Sequence, residues 1–189
     1  MNAARAAVIL AALSTSPLAA ITVVEGSVGE DFQNAQFVLA VVVTAREQVV
    51  SERPYTRYYF SVEAVYKGSE PLPVHIDVAG GRLPDGSSWE LEGAPRFNEG
   101  DRLLLFLRFD NPYCPIIGLT VRALRLKGSS TADLLAASVL TYDSRPVLGF
   151  RTDGTLITAS QASRTRPLSL GAFLNSAREI AGHRPPPAQ

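Results

Sequence analysis

Cysteine is almost missing from this sequence: Cys114 is the single one in 189 residues. That excludes an intramolecular disulfide framework, a redox-active thiol pair and a cysteine-based zinc knuckle. Histidine is nearly as scarce, with two in the chain, so a three-histidine metal site cannot form. An excess of either charge is missing as well, since 18 Lys+Arg balance 18 Asp+Glu, whereas nucleic-acid binders generally carry a basic surplus. What is present is apolar material. A chain with 46% hydrophobic and 19% charged residues has the balance of a folded domain, opposite to that of a disordered one. Its length suits one domain, two at most, with ~70% of the unfolded surface buried.

The first twenty residues read as an export leader. Met1 to Arg5 carries one positive charge and no acid, Ala6 to Leu13 is an unbroken apolar run, and Ser14 to Pro17 breaks it before the small residues Leu18-Ala19-Ala20. That order is the one a secretory signal peptide has. The run falls far short of the ~20 residues that cross a bilayer, so no stable membrane anchor is expected after cleavage. No cysteine follows it to carry a lipid. Cleavage after Ala20 is expected, leaving a mature domain over residues 21–182, a disordered tail over 183–189, and a periplasmic or extracellular location.

After a polar leading segment (Glu25 to Asn34), the pattern is that of strands. Gln36 to Thr44 is nearly all apolar and β-branched, as in a strand covered on both faces. Tyr55 to Tyr66 alternates, with Tyr58, Phe60, Val62, Ala64 and Tyr66 assigned to one buried face. Leu72 to Val78 alternates again and is ended by Ala79-Gly80-Gly81. Pro84-Asp85-Gly86-Ser87 is turn chemistry between Arg82-Leu83 and Trp89-Glu90-Leu91, a projecting hairpin. Gly93 to Gly100 is a loop. Asp101 to Asp110 is apolar on both faces and so expected to be central, and Ile116 to Lys127 returns as one strand or two. Ser130 to Asp133 has the form of a capping box, and Val147 to Ile157 that of a small hairpin around Asp153-Gly154. Leu170, Phe173, Leu174, Ala177, Ile180 and Ala181 share one helical face, with Ser169 as N-cap and Gly182 as the stop. The expectation is a mainly β fold: five or six strands closed into a small antiparallel barrel, with a C-terminal α-helix packed on it.

Catalytic chemistry is sparse. Gly-x-Ser-x-Gly is absent, and the one histidine of the body, His75, has Asp77 two residues on along the same strand face. With a serine from Ser87-Ser88 these would make a base, an orienter and a nucleophile, the alternative reading of a secreted hydrolase. The simpler account is a polar, solvated strand face. Glu90 with Glu92 and Glu99 with Asp101 read as strand-edge and turn residues, because a glycosidase needs its carboxyls across a cleft. No calcium loop, zinc helix motif or phosphate loop is present. No catalytic residue, metal ligand or cofactor is assigned. Cys114, in a turn with two prolines and no adjacent base, reads as a small buried apolar residue. Arg122, Arg125 and Lys127 beside a tyrosine-rich strand suggest stacking and phosphate contact, but the neutral net charge and the export leader speak against nucleic acid.

The stretch from Val38 to Leu126 resembles a group of exported bacterial proteins with a small OB-like β-barrel. The residues that carry the likeness are Tyr55-Thr56-x-Tyr58-x-Phe60-x-Val62-x-x-Val65-x-Lys67-Gly68, then Gly80-Gly81. They continue as Gly93-Ala94-Pro95-x-Phe97-x-x-Gly100-Asp101-x-x-Leu104-Leu105-Phe106-Leu107. The resemblance implies an OB-like fold and brings no catalytic residues. Members are similar to proteins encoded near matrixin-type metalloproteases, which implies a second alternative, a protease-associated inhibitor-like barrel. Tissue-inhibitor-type barrels act through an N-terminal cysteine, and none stands there in this chain. The preferred expectation is an exported, non-enzymatic binding or accessory protein of the bacterial envelope or exterior, with another exported protein as partner. Its contact surface is assigned to Arg82, Trp89, Arg96 and Phe97, because Trp and Arg dominate interface energetics. Against this stands the reading in which Trp89 and Phe97 fold back as plugs.

Overall fold

A computed structural model of the chain describes residues 26–128, 131–159 and 166–182. The expected leader and tail, and Ser130 of the expected capping box, lie outside the described residues. The elements run α1 (Val28–Asn34), β1 (Phe37–Val49), β2 (Tyr55–Lys67), β3 (His75–Arg82), β4 (Ser88–Glu90) and β5 (Arg102–Leu107). After a short 3₁₀ turn (Leu119–Arg122) come β6 (Ala123–Lys127), a second 3₁₀ segment (Thr131–Ala136), β7 (Ser138–Leu140), β8 (Val147–Phe150), β9 (Leu156–Thr158) and α2 (Leu170–Gly182).

The sheet order is β4-β3-β2-β1-β5-β6-β7, with every neighbouring pair antiparallel, and β8 pairs β9 as a separate hairpin. The mainly antiparallel β fold with a C-terminal helix is therefore what the chain adopts. Among the described residues no strand pairing joins β4 to β7. One face is closed instead by the connection after β5, whose Tyr113 carbonyl accepts from the Ala79 N–H of β3 at 2.6 Å.

β5 and the first half of β1, Phe37 to Val43, are buried on both faces, as their unbroken apolar runs require. Leu39, Val41 and Val43 with Leu103, Leu105 and Leu107 face an inner cluster completed by Tyr58, Phe60, Ile76, Val78 and Phe97. Val38, Ala40, Leu104 and Phe106 face the opposite cluster, roofed by Leu170, Phe173, Leu174 and Ala177 of α2. Withdrawing each of the Val, Leu, Ile and Phe side chains among these from water stabilises the fold by about 1.5–3 kcal/mol. Ser169 caps α2, accepting from the Ala172 N–H at 3.3 Å.

Several elements depart from the sequence pattern. The polar leading segment holds a helix, α1, which packs on α2 and is fastened by a fully buried Arg122. Arg122 Nε donates to Asp31 Oδ2 at 2.6 Å, and its terminal nitrogen donates to the Gly26 carbonyl at 2.6 Å. Burial raises the Asp31 carboxyl above its ordinary range, against the opposing pull of Arg122. The expected strand Asp101 to Asp110 stops at Leu107, leaving Phe109 45% exposed. Ile116 to Lys127 is a strand only over β6. β3 does not end at Ala79 but runs through both glycines to Arg82.

The alternation of β2 also breaks. Val41 pairs with Val62 and Ala40 with Ala64, so Glu63 is an extra residue in the ladder. A one-residue bulge moves the later side chains of a strand to its other face. Tyr58, Phe60 and Val62 accordingly pack in the inner cluster, whereas Ala64 and Tyr66 pack in the helix-side one.

Candidate functional site

The site is built by two irregularities. In β1, Val43 pairs with Phe60 and Ala45 with Tyr59, so Thr44 is a bulged residue. Unbroken alternation from Leu39, Val41 and Val43 would carry Ala45 and Glu47 along the inner face. The bulge instead sets Arg46 opposite Tyr58 and Gln48 opposite Thr56. In β3, residues through Ala79 pair with β2, while Gly80, Gly81 and Arg82 pair with Glu90, Trp89 and Ser88 of β4. Gly80 takes φ +120°, a conformation that side chains resist, and this is the corner at which the strand leaves β2 for β4.

Between these parts lies a groove of about 440 Å3, whose rim carries Arg46, Arg82 and Arg96. Tyr58 and Val78 reach it from the inner cluster, and Leu91, Ala94 and Pro95 form its far wall. Arg96 is ion-paired with Glu90, which also lines the groove. Arg46 and Arg82 have no ion-pair partner among the described residues and are exposed.

The loop that carries Arg96 is held at several points. The Tyr142 hydroxyl accepts from the Arg96 N–H at 2.7 Å and donates to the Arg96 carbonyl at 2.7 Å. The Tyr142 ring meets Phe97 edge-on at 6.2 Å, and Phe97 meets Tyr58 in the same way at 5.1 Å. Arg125 lies 5.3 Å over the Tyr142 ring and donates to Asp101 Oδ1 at 2.8 Å, while Asp101 Oδ2 accepts from the Asn98 N–H. Burial raises the Tyr58 phenol above its ordinary value.

The four residues assigned from sequence thus separate. Arg82 and Arg96 line the groove together. Trp89, one residue out of phase on β4, points to the other side of the arm, into a second groove of about 620 Å3 with Tyr55, Tyr113, Pro54 and Leu83. Phe97 is 1% exposed and packs inside as a plug, so it offers no contact surface. Sequence reasoning misses Arg46, Gln48 and Tyr142. Tyr142 is far along the chain from the loop it holds, and Arg46 and Gln48 reach the groove only through the bulge at Thr44.

The hydrolase residues are not brought together. Asp77 is held by a two-point contact from Arg57, at 2.7 and 2.8 Å, and His75 lies against the Tyr59 ring at 5.8 Å. Ser87 Oγ donates to Asp85 at 2.6 Å, and Ser88 lines the arginine groove, which neither His75 nor Asp77 does. Cys114 is buried. Among the described residues no cluster of three His, Cys, Asp or Glu is placed to hold a metal ion, and no helix is long and apolar enough to cross a membrane.

Fold and site together define a class: a mainly antiparallel β domain with a C-terminal helix and an arginine-rimmed groove at one end of its sheet. Comparison of the chain with known protein families, with curated proteins and with solved structures finds no match.

Proposed function

We propose that this chain is an exported, non-catalytic binding or accessory protein of the bacterial envelope or exterior. Its partner is another exported protein, and its contact surface is the β3–β4 arm with the groove beside it. One observation carries the reading: Arg46 and Arg82, without ion-pair partners among the described residues, line the same groove. Local regularity is given up twice to bring them there, at Thr44 and at Gly80, and irregularities of this kind cluster where a strand has to aim a side chain or admit a ligand. The order of charged, apolar and small residues over 1–20 supports export, as does the resemblance to exported OB-like proteins. The neutral net charge weighs against nucleic acid.

The test is made on the full chain expressed with its leader in a bacterium. The exported protein should begin at Ile21, and used as bait in the exporting cell it should retain one exported protein. Retention should fall with Arg82→Ala while the thermal midpoint stays put. Protein that keeps Met1 and remains inside the cell removes the export reading. Wild-type bait that retains nothing removes the binding reading.

A further inference from the structure

We infer that the groove takes the carboxylates of an acidic, extended segment of the partner, an assignment that rests on the binding reading above. Arg57, Arg102, Arg122 and Arg125 each hold an acid at 2.6 to 2.8 Å. Arg46 and Arg82 hold none among the described residues, and they line one groove of about 440 Å3. Two uncompensated guanidiniums facing one concave space focus a positive potential on it. The third arginine of the rim adds to this. Its pair with Glu90 is 65% and 62% exposed, where an ion pair contributes little, so an incoming carboxylate displaces Glu90 at small cost. A guanidinium presents a planar fork that matches a carboxylate at two points.

The edge of the sheet selects an extended chain over a free ion. β4 ends the sheet, so its outer edge offers N–H and C=O groups to an added strand. Side chains of an added strand reach one face at alternate positions. The matching segment is therefore one with acids at every second residue, aimed at Arg82, Arg46 and Arg96.

The probe is the capped hexapeptide Thr-Glu-Thr-Glu-Thr-Glu, titrated against the protein by calorimetry and by NMR of the arginine Nε–H groups, with the Thr-Gln repeat and inorganic phosphate as separate arms. The Glu peptide should bind about tenfold or more tightly than the Gln peptide, a difference of about 1.4 kcal/mol. It should shift the Arg46 and Arg82 signals, and weaken as salt is raised and the field is screened. The double variant Arg46→Gln/Arg82→Gln should lose about tenfold or more in affinity with an unchanged thermal midpoint, since neither side chain holds an ion pair among the described residues. Equal binding of the two peptides, or unaltered binding by the double variant, overturns the assignment. Phosphate binding as tightly as the Glu peptide at the same arginines makes this a small-anion site and also overturns it. The binding reading is judged separately. If wild-type and double-variant baits retain the exported partner equally, the groove's acidic chemistry falls while a binding protein remains.

Discussion

Cys114 is 1% exposed, and burial pushes its thiol up to about 11. A thiol so placed has almost no thiolate at neutral pH, and thiolate is the reactive form. In an oxidising compartment the native protein should therefore leave Cys114 untouched. Ellman's reagent should report no fast-reacting thiol in the folded protein and one thiol in strong guanidinium; a native thiol reacting within seconds would mean that the β5–β6 connection opens freely. Gly29 makes the opposite kind of demand, for space. A Cβ there would stand 2.7 Å from the Ala181 nitrogen and 2.7 Å from Ile180 Cγ2, so α1 and α2 would have to part. Gly29→Ala should cost about 1–3 kcal/mol, the usual range for overpacking, read as a lower urea midpoint at unchanged slope. Gly182→Ala is the control, since a Cβ there meets nothing within 4 Å, and its midpoint should not fall. Equal midpoints for Gly29→Ala and wild type would show that the two helices are not in firm contact.

At the scale of elements, the two hairpin turns Asp85-Gly86-Ser87 and Asp153-Gly154-Thr155 repeat one device. Each Asp Oδ1 accepts both the N–H and the hydroxyl of the residue two places on, at 2.9 and 2.6 Å for Ser87 and at 2.9 and 2.7 Å for Thr155. The Ser87 hydroxyl and N–H hold the Asp85 carboxyl below the ordinary aspartate range, and the Thr155 N–H and hydroxyl do the same for Asp153. A lowered folded value means that each carboxylate adds stability above its unfolded value, and that this is lost as pH falls through the folded one. Carboxyl carbon shifts followed against pH should place both midpoints below those of the same residues in unfolded peptides. Midpoints at the peptide value would mean that the turns are open in solution. These turns are legible in the sequence because every group that makes them is local in the chain. The central positions of β1 and β5 are legible for a related reason, since an apolar run on both faces has few other homes. The bulges at Thr44 and Glu63 are not. A bulge is a property of pairing between strands, and nothing in QFVLAVVVT announces which residue the ladder will skip. Hence alternation alone gives the tyrosine strand one buried face where it has two half-faces. It also hides Arg46, which the bulge turns into the groove, and it groups Trp89 with arginines that stand on the other side of its strand.

For the molecule as a whole, the consequence of these pairings is that two hydrophobic clusters share their central strands. Alternate residues of β1 and β5 face opposite ways, so Leu39 and Leu105 belong to the inner cluster, Val38 and Phe106 to the helix-side one. Neither cluster can loosen without moving backbone that the other needs, and cooperative units of this kind open together. Phe173, fully buried on α2's side of the sheet and 5.2 Å from the Phe150 ring, provides the test. Truncating a buried phenylalanine costs about 3–5 kcal/mol. If the clusters are one unit, Phe173→Ala should lower the global stability by that amount. Hydrogen exchange at the Tyr58 and Ile76 amides, on the far side of the sheet, should then lose protection by the same free energy. If those amides keep their protection while the α2 amides lose theirs, the inner cluster stands alone. The groove would then be carried by β1–β3 and β5 without the helices. If all fall together, the helix layer is part of what keeps Arg46, Arg82 and Arg96 in register, even though it lines no part of their groove.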